Sequence, residues 1–554
     1  MPKISQYDPA TTPLSGGETF ILNQRGVTYN TPLSSIKNYT DTTLRSLSSD
    51  WQSTATTFRA NSANYAKVNV NNNFSTTQTF ATSAINIGSL PISATRTDSF
   101  FVGKNAGNGA LSASNSNFLG FYAGNGATNA NNSNFIGAAA GYNATNAQYS
   151  NFLGRDAGNG AITASNSNFF GRLAGYYASG ANNSNFLGQN AGYNAEDANN
   201  SNFLGQNAGN GAEDANNSNF LGQKAGFNAD YASNSNFLGI YAGNDAINAN
   251  NSNFLGQNAG FNADYASDSN FLGQNAGSDA VNANNSNFLG QKAGFSAQNA
   301  SNSNFLGYKA GFNATAASSS NFLGLSAGSN ATNASFSNFL GYKAGFNATG
   351  ASASNFLGYK AGFNATNANF STFIGADAGD SATNANFSTF IGGYAGDSAT
   401  NANNSNFLGF KAGWNALSAN NSNFLGRGAG SSATNANNSI FIGLSAGDSA
   451  TNANNSNFLG RGAGNSATNA NNSIFIGLSA GSRATNANNS IFIGTNSGAN
   501  ASLSGCIAIG TGAVPTARNQ FVLGSLSVPL STTADGSLVV NINGTLKKIA
   551  LLSV

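Results

Sequence analysis

The sequence predicts an all-β fold, a parallel β-solenoid or β-roll of 24 coils with a 17-residue period. Three observations lead there. A phenylalanine returns every 17 residues from Phe101 to Phe492, with no insertion or deletion. Glycine and alanine recur at fixed places within each copy, as at Gly103, Gly107, Ala106, Ala110 and Ala113. The apolar runs are short and bounded by Gly and Asn, which reads as strand and turn. A fixed period with recurrent small residues is the mark of coils that stack on one another.

Residues 1–40 are expected to form an N-terminal attachment region, and 41–95 a neck. In the neck, Leu44, Leu47, Trp51, Phe58 and Tyr65 fall on a heptad seam, with Thr54 and Asn61 as weaker members. This pattern fits a short coiled coil or a single amphipathic helix. The opening MPKISQYDPATTPLSGG has no apolar run, so no export signal is expected. No stretch of 18 apolar residues occurs, so no membrane insertion is expected.

The shaft is expected over residues 96–510. With Ser99 as the first position of the first copy, position one is Ser and position three Phe. Position four is Leu, Ile, Val or, once, Phe170, and positions five and nine are Gly. Positions eight, twelve and fifteen are almost always Ala, with Ser497 an exception. Two glycines per copy would each cost about 1 kcal/mol inside a helix. Stacked strands instead allow a parallel backbone ladder at about 4.8 Å per coil, making a rod on the order of 115 Å long. The alanines would fill a thin interior, and Asn in successive coils can stack as an amide ladder. Tandem duplication accounts for the missing indels. It does not explain why positions six, seven, thirteen and fourteen diverge while Ser, Phe, Gly and Ala persist.

Neighbouring strand residues point to opposite faces. Either Phe118 or Leu119 therefore faces out, and the alternation leaves open which. Each choice puts 24 large apolar side chains in one outer stripe. For rings this approaches roughly 1,000 Å², beyond the few hundred Å² usual on soluble monomers. The expected cover is another copy of the chain. Phe101, Phe118, Phe135, Phe152, Phe169, Phe186, Phe203 and Phe220 then begin a core and oligomer ladder whose rings are hidden by sister subunits. A bend at Gly that turns both residues inward is the alternative. Residues 511–554 are expected to cap the shaft, with "LVVNINGTLKKI" at 538–549 a β-hairpin around Asn543–Gly544.

After Phe492 the repeat changes step, and Gly510 of "CIAIG" and Gly524 of "QFVLG" are 14 apart. The phrases "CIAIGTGA" and "ARNQFVLGS" resemble the head repeats of trimeric autotransporter adhesins, and SNFLGxxAG is similar at greater length. The resemblance covers residues 99–524 and implies three parallel β-rolls packed about one axis, as an intertwined or side-by-side homotrimer. The signal peptide and membrane-anchoring barrel segment of that family have no counterpart in the sequence. The segment from "ISQYDPATTPLSGGETF" to "IKNYT", and "NNNFSTTQTF" at 71–80, instead resemble virion-proximal parts of bacteriophage tail-fibre proteins. The closing "GSLVVNINGTLKKIAL" looks like the small β-structured ends of such fibres. The resemblance implies a structural fibre subunit located on a virion. Other virion proteins would hold its N-terminal region, and a host surface receptor such as a glycan would be its target. The alternative is a bacterial cell-surface adhesin or extracellular filament built on the same roll.

Little in the sequence points to catalysis, a cofactor or a metal. There is no His, the commonest general base. Cys506 is the sole cysteine and cannot alone make a zinc site. Glu196–Asp197, Glu213–Asp214, Asp230–Tyr231 and Asp264–Tyr265 occupy variable positions and read as solvated surface. Turns of the type NAG and KAG lack the carboxylate of calcium-binding β-rolls. A net charge of +2 gives no pull toward nucleic acid. Phe121, Tyr122, Tyr176, Tyr177, Tyr241 and Trp414 could stack on sugars or be ordinary exposed aromatics. An ice-binding solenoid would need a regular Thr array, whereas Thr at position thirteen is intermittent. A depolymerase fibre would need an inserted domain, for which the unbroken count leaves no room.

Overall fold

The computed structural model describes residues 99–525 in full. It describes the backbone alone for strands Thr19–Gln24, Val27–Pro32, Ile85–Ile87, Leu90–Ser93, Ser537–Ile542 and Thr545–Ala550. The chain divides into two units, Met1–Ala81 and Thr82–Val554. In the first, Thr19–Gln24 pairs antiparallel with Val27–Pro32. The seam residues Leu44, Leu47, Trp51, Phe58 and Tyr65 lie outside the described residues.

The second unit is a parallel β-solenoid of 26 three-residue strands, from Phe100–Val102 to Phe521–Leu523. Each strand pairs in parallel with the next coil, like residue on like: Asn304 on Asn321, Phe305 on Phe322, Leu306 on Leu323. The 17-residue step holds from Phe101 to Phe492, then shortens to reach Ala508 and Val522. The ladder therefore runs past residue 510, and both shortened coils belong to it. At its start, Leu90–Ser93 pairs antiparallel with Phe100–Val102 and with Ile85–Ile87, covering the first strand edge. Ser537–Ile542 and Thr545–Ala550 form the C-terminal antiparallel hairpin. No helix occurs among the described residues.

Each strand is short because the chain turns at position five. Gly307 has φ +131°, and a Cβ there would lie 2.6 Å from the carbonyl oxygen of Gly324 one coil on. Left-handed residues then recur. In the coil from Ser286 they are Lys292, Gly294, Ser296, Asn299 and Asn302. Gly and Asn tolerate this conformation best, which explains the Asn- and Gly-rich composition more directly than amide stacking does. The alternation sends successive amides in different directions. The Ala293 N–H donates to Gly290 in its own coil, Gly294 to Ala310 in the next, and Ser296 to Ser278 in the previous one. Turns as well as strands thus tie each coil to both neighbours.

The interior answers the question that strand alternation left open. Phenylalanine faces in and leucine faces out. From Phe118 to Phe492 the rings are 0% exposed within a single chain, and Phe101 is 6% exposed. Adjacent ring centroids stand between 4.5 Å (Phe186–Phe203) and 5.2 Å (Phe373–Phe390). The Phe288–Phe305 pair, at 4.7 Å and 4°, typifies the stack. This corrects the expectation that sister subunits hide the rings. Alanines and a serine at the other inward positions are too small to fill the coil, and one ring completes it. Position nine supplies the slot: a Cβ on Gly294 would lie 2.2 Å from the ring of Phe288. Each buried ring contributes about 1.5–3 kcal/mol, and each stacked pair adds about 0.5–1.5 kcal/mol.

Serine at position one is a second internal column. The Ser303 hydroxyl donates to the Ala317 carbonyl at 2.5 Å and accepts the Ser320 N–H at 3.0 Å. Cys506 takes this place after the last full coil, buried, with its Sγ 3.3 Å from the Ala517 carbonyl. Ser497, the exception among the alanines, donates to the carbonyl of Ala508 at 2.8 Å. Ala508 stands where other coils carry Phe, and its small side chain leaves space for the extra hydroxyl.

Candidate interaction surfaces

The eight phenylalanines expected to reach between chains, Phe101, Phe118, Phe135, Phe152, Phe169, Phe186, Phe203 and Phe220, all lie in the single-chain stack. What the strands present outward is two parallel columns. Position two gives an amide ladder from Asn117 to Asn355, each Nδ2 donating to the next Oδ1 at 2.6–2.9 Å. Position four gives a continuous apolar column, aliphatic in every coil but that of Phe170. None of its members is buried, and the most exposed, Ile136 and Ile442, reach 39%. Toward the C-terminal end the amide column itself turns apolar at Ile440, Ile474, Ile491 and Ile507. A shallow groove of about 420 Å³ lies on this face, with Leu408, Leu425, Ile440 and Ile442 in its lining.

The second surface is the turn face formed by positions six, seven and ten. Here rings and lysines interleave. Lys309 Nζ lies 5.4 Å from the Tyr308 ring centroid and 5.6 Å from that of Phe312. Lys343 stands 5.4, 5.6 and 5.9 Å from Tyr342, Phe346 and Phe363, and Lys360 stands 5.5 Å from both Tyr359 and Phe363. Lys411 sits 4.8 Å from Trp414, and Lys224 5.2 Å from Tyr241. Such contacts hold an ammonium against a ring face. The aromatics singled out from the sequence pack mainly on one another: Phe121 on Tyr122 and Tyr176 on Tyr177, each at 4.3 Å. The hydrogen bond that the Tyr176 hydroxyl makes to Tyr177, followed by burial, pushes that hydroxyl up to about 12.

Acidic groups follow the lysines along the same face. Burial raises the carboxyls of Asp380 and Asp397 above their ordinary value. Hydroxyls of Ser381 and Ser398, at 2.9 and 2.8 Å, offset part of that. Glu196, Asp197 and Glu213 are exposed on adjacent coils, with Asp214 half-buried beside them. Among the described residues no three acidic, Cys or His side chains are placed to hold a metal ion. Arg155–Asp156, at 3.4 Å, is the one ion pair among them. No described helix is long and apolar enough to cross a membrane.

Two signals could have oriented the strand from sequence. Gly at position nine leaves a slot for a ring, and Ala at eight, twelve and fifteen leaves only one large inward position. No protein-family model matches the chain, and neither a curated protein nor a solved structure is significantly similar to it.

Proposed function

We propose that the chain is a structural subunit of a bacteriophage fibre, a homotrimer whose solenoids pack through their outer strand faces. Its N-terminal region joins other virion proteins, and the shaft extends toward a host-surface receptor. The observation that carries this reading is the continuous apolar column at position four. A leucine side chain buries roughly 100 Å², so a third of each left exposed over 24 coils totals on the order of 800 Å². That exceeds the few hundred Å² usual on monomers. A sister chain with the same column in the same register is its natural complement. The segments resembling virion-proximal fibre parts support the location, and the resemblance to trimeric adhesin heads supports three chains. The role is mechanical: ladder bonds and stacked rings stiffen a shaft that carries contacts away from its base.

Light scattering on the purified full chain tests this reading. A solution mass near three times 56.1 kDa, with thin rods in negative-stain images, is the expected result. A mass of one chain would remove the trimer and leave the outer column without its proposed cover.

A further inference from the structure

Among the described residues, every lysine but Lys104 stands at position seven of its coil: Lys224, Lys292, Lys309, Lys343, Lys360 and Lys411. Residues 280–376 hold four of these and contain no Asp, Glu or Arg. This stretch has a charge of +4 in a chain whose net charge is +2. Position seven is left-handed, with φ +59°, +55°, +52° and +50° at Lys292, Lys309, Lys343 and Lys360. Other coils use Asn, Gly, Asp, Ser, Tyr, Ala or Leu there, and Asn and Gly meet the backbone requirement more easily than lysine. Backbone preference therefore does not explain the lysines.

We propose that this turn face binds an acidic polysaccharide, a linear sugar chain bearing carboxylates or other oxyanions. The face offers lysine ammonium groups and tyrosine hydroxyls and carries no carboxylate between residues 280 and 376. Tyr308, Tyr342 and Tyr359 are 43%, 38% and 50% exposed, and the rings they share with the lysines fix the ammonium groups in a row. Successive lysines are one or two coils apart, about 4.8 or 9.6 Å along the axis, close to the rise of one or two sugars in an extended chain. Nucleic acid fits less well. Tyr342–Tyr359 and Phe346–Phe363 are stacked at 5.1 and 5.3 Å, whereas a slot admitting a base needs roughly 7 Å, twice the stacking rise. Asp377, Asp380 and Asp397 bound the site toward the C-terminus and set where an anionic polymer stops.

The inference rests on the fibre reading only for where such a polymer resides, a host surface. Surface plasmon resonance of the full chain over immobilised polygalacturonate tests the binding itself. The wild-type chain should bind polygalacturonate but not neutral dextran, and high salt should weaken binding at least about tenfold. Lys309→Asn, Lys343→Asn and Lys360→Asn together give these coils the residue that other coils use. This variant should keep the wild-type circular dichroism spectrum and bind at least about tenfold more weakly. Removing equal charge outside residues 280–376, beyond the boundary set by Asp377, by Arg427→Gln, Arg461→Gln and Arg483→Gln, should change binding less than about twofold. No binding to polygalacturonate at low salt, equal losses in the two triple variants, or tighter binding to single-stranded oligothymidylate would each overturn the proposal. The first result in a chain still trimeric by mass would reject this site and leave the fibre reading in place.

Discussion

Gly426 touches Gly443 across the gap between two coils: a Cβ on Gly426 would lie 2.5 Å from the Gly443 carbonyl oxygen. Two residues on, a Cβ on Gly428 would meet only the Ser445 hydroxyl, at an ordinary contact distance of 3.5 Å. The first glycine sets the coil spacing, and the second only meets a left-handed φ of +66°. Gly426→Ala should therefore lower stability by at least about 3 kcal/mol. Gly428→Asn should change it by less than about 1 kcal/mol. Protease sensitivity around this coil and urea denaturation check the pair.

The serine column gives a second prediction. Ser303→Ala leaves the Ser320 N–H and the Ala317 carbonyl unpaired inside the solenoid, at a cost of about 1–3 kcal/mol for each. Ser303→Cys should cost less, because Cys506 already fills the equivalent place, donating its own N–H to Ser490 Oγ and holding its Sγ 3.3 Å from the Ala517 carbonyl. Amide hydrogen exchange at Ser320 distinguishes the two variants, with faster exchange in the alanine form.

The ring stack gives a third. Phe305→Ala removes an inward ring from the chain's own coil at a cost of about 3–5 kcal/mol, whereas Leu306→Ala removes an outward side chain and should weaken association between chains while leaving exchange within the coil nearly unchanged. Exchange measured coil by coil should show the damage from Phe305→Ala spreading to the coils of Phe288 and Phe322. An equal effect of the two substitutions would count against the inward placement of the ring.

Acidity gives a fourth. Burial raises the Asp380 carboxyl above 3.8, so the folded state holds that proton more tightly than the unfolded chain does. The resulting stability is fully present below pH 3.8 and is lost as pH rises through the folded value. Asp380→Asn should therefore stabilise this part of the shaft at neutral pH and have no effect below pH 3.8. Thermal denaturation at the two pH values checks the sign.

Much of the solenoid was legible because each repeat states it again. The 17-residue step gives the coils, SNFLG the strand, and the Ala positions the thin interior. The direction of the strand was harder to read. Phe118 and Leu119 are both large and apolar, and alternation alone treats them alike. Their difference lies in Gly124, whose missing side chain admits the ring of Phe118, a contact between residues six apart that no strand rule contains. The turn face was harder still. Lys309, Tyr308 and Phe312 look unrelated along the chain, and only the left-handed turn brings them together. Leu44, Leu47, Trp51, Phe58 and Tyr65 remain expectations of the heptad pattern.

The central claim is that the chain closes on its own rings and meets its sister chains through the outer aliphatic column. Cysteine cross-linking tests it most directly, because the native Cys506 is buried. Under mild oxidation Leu340→Cys should produce disulfide-linked chains on a non-reducing gel. Phe336→Cys, on a side chain 69% exposed at another edge of the coil, should leave single chains. Linked chains from Phe336→Cys and single chains from Leu340→Cys would contradict the account.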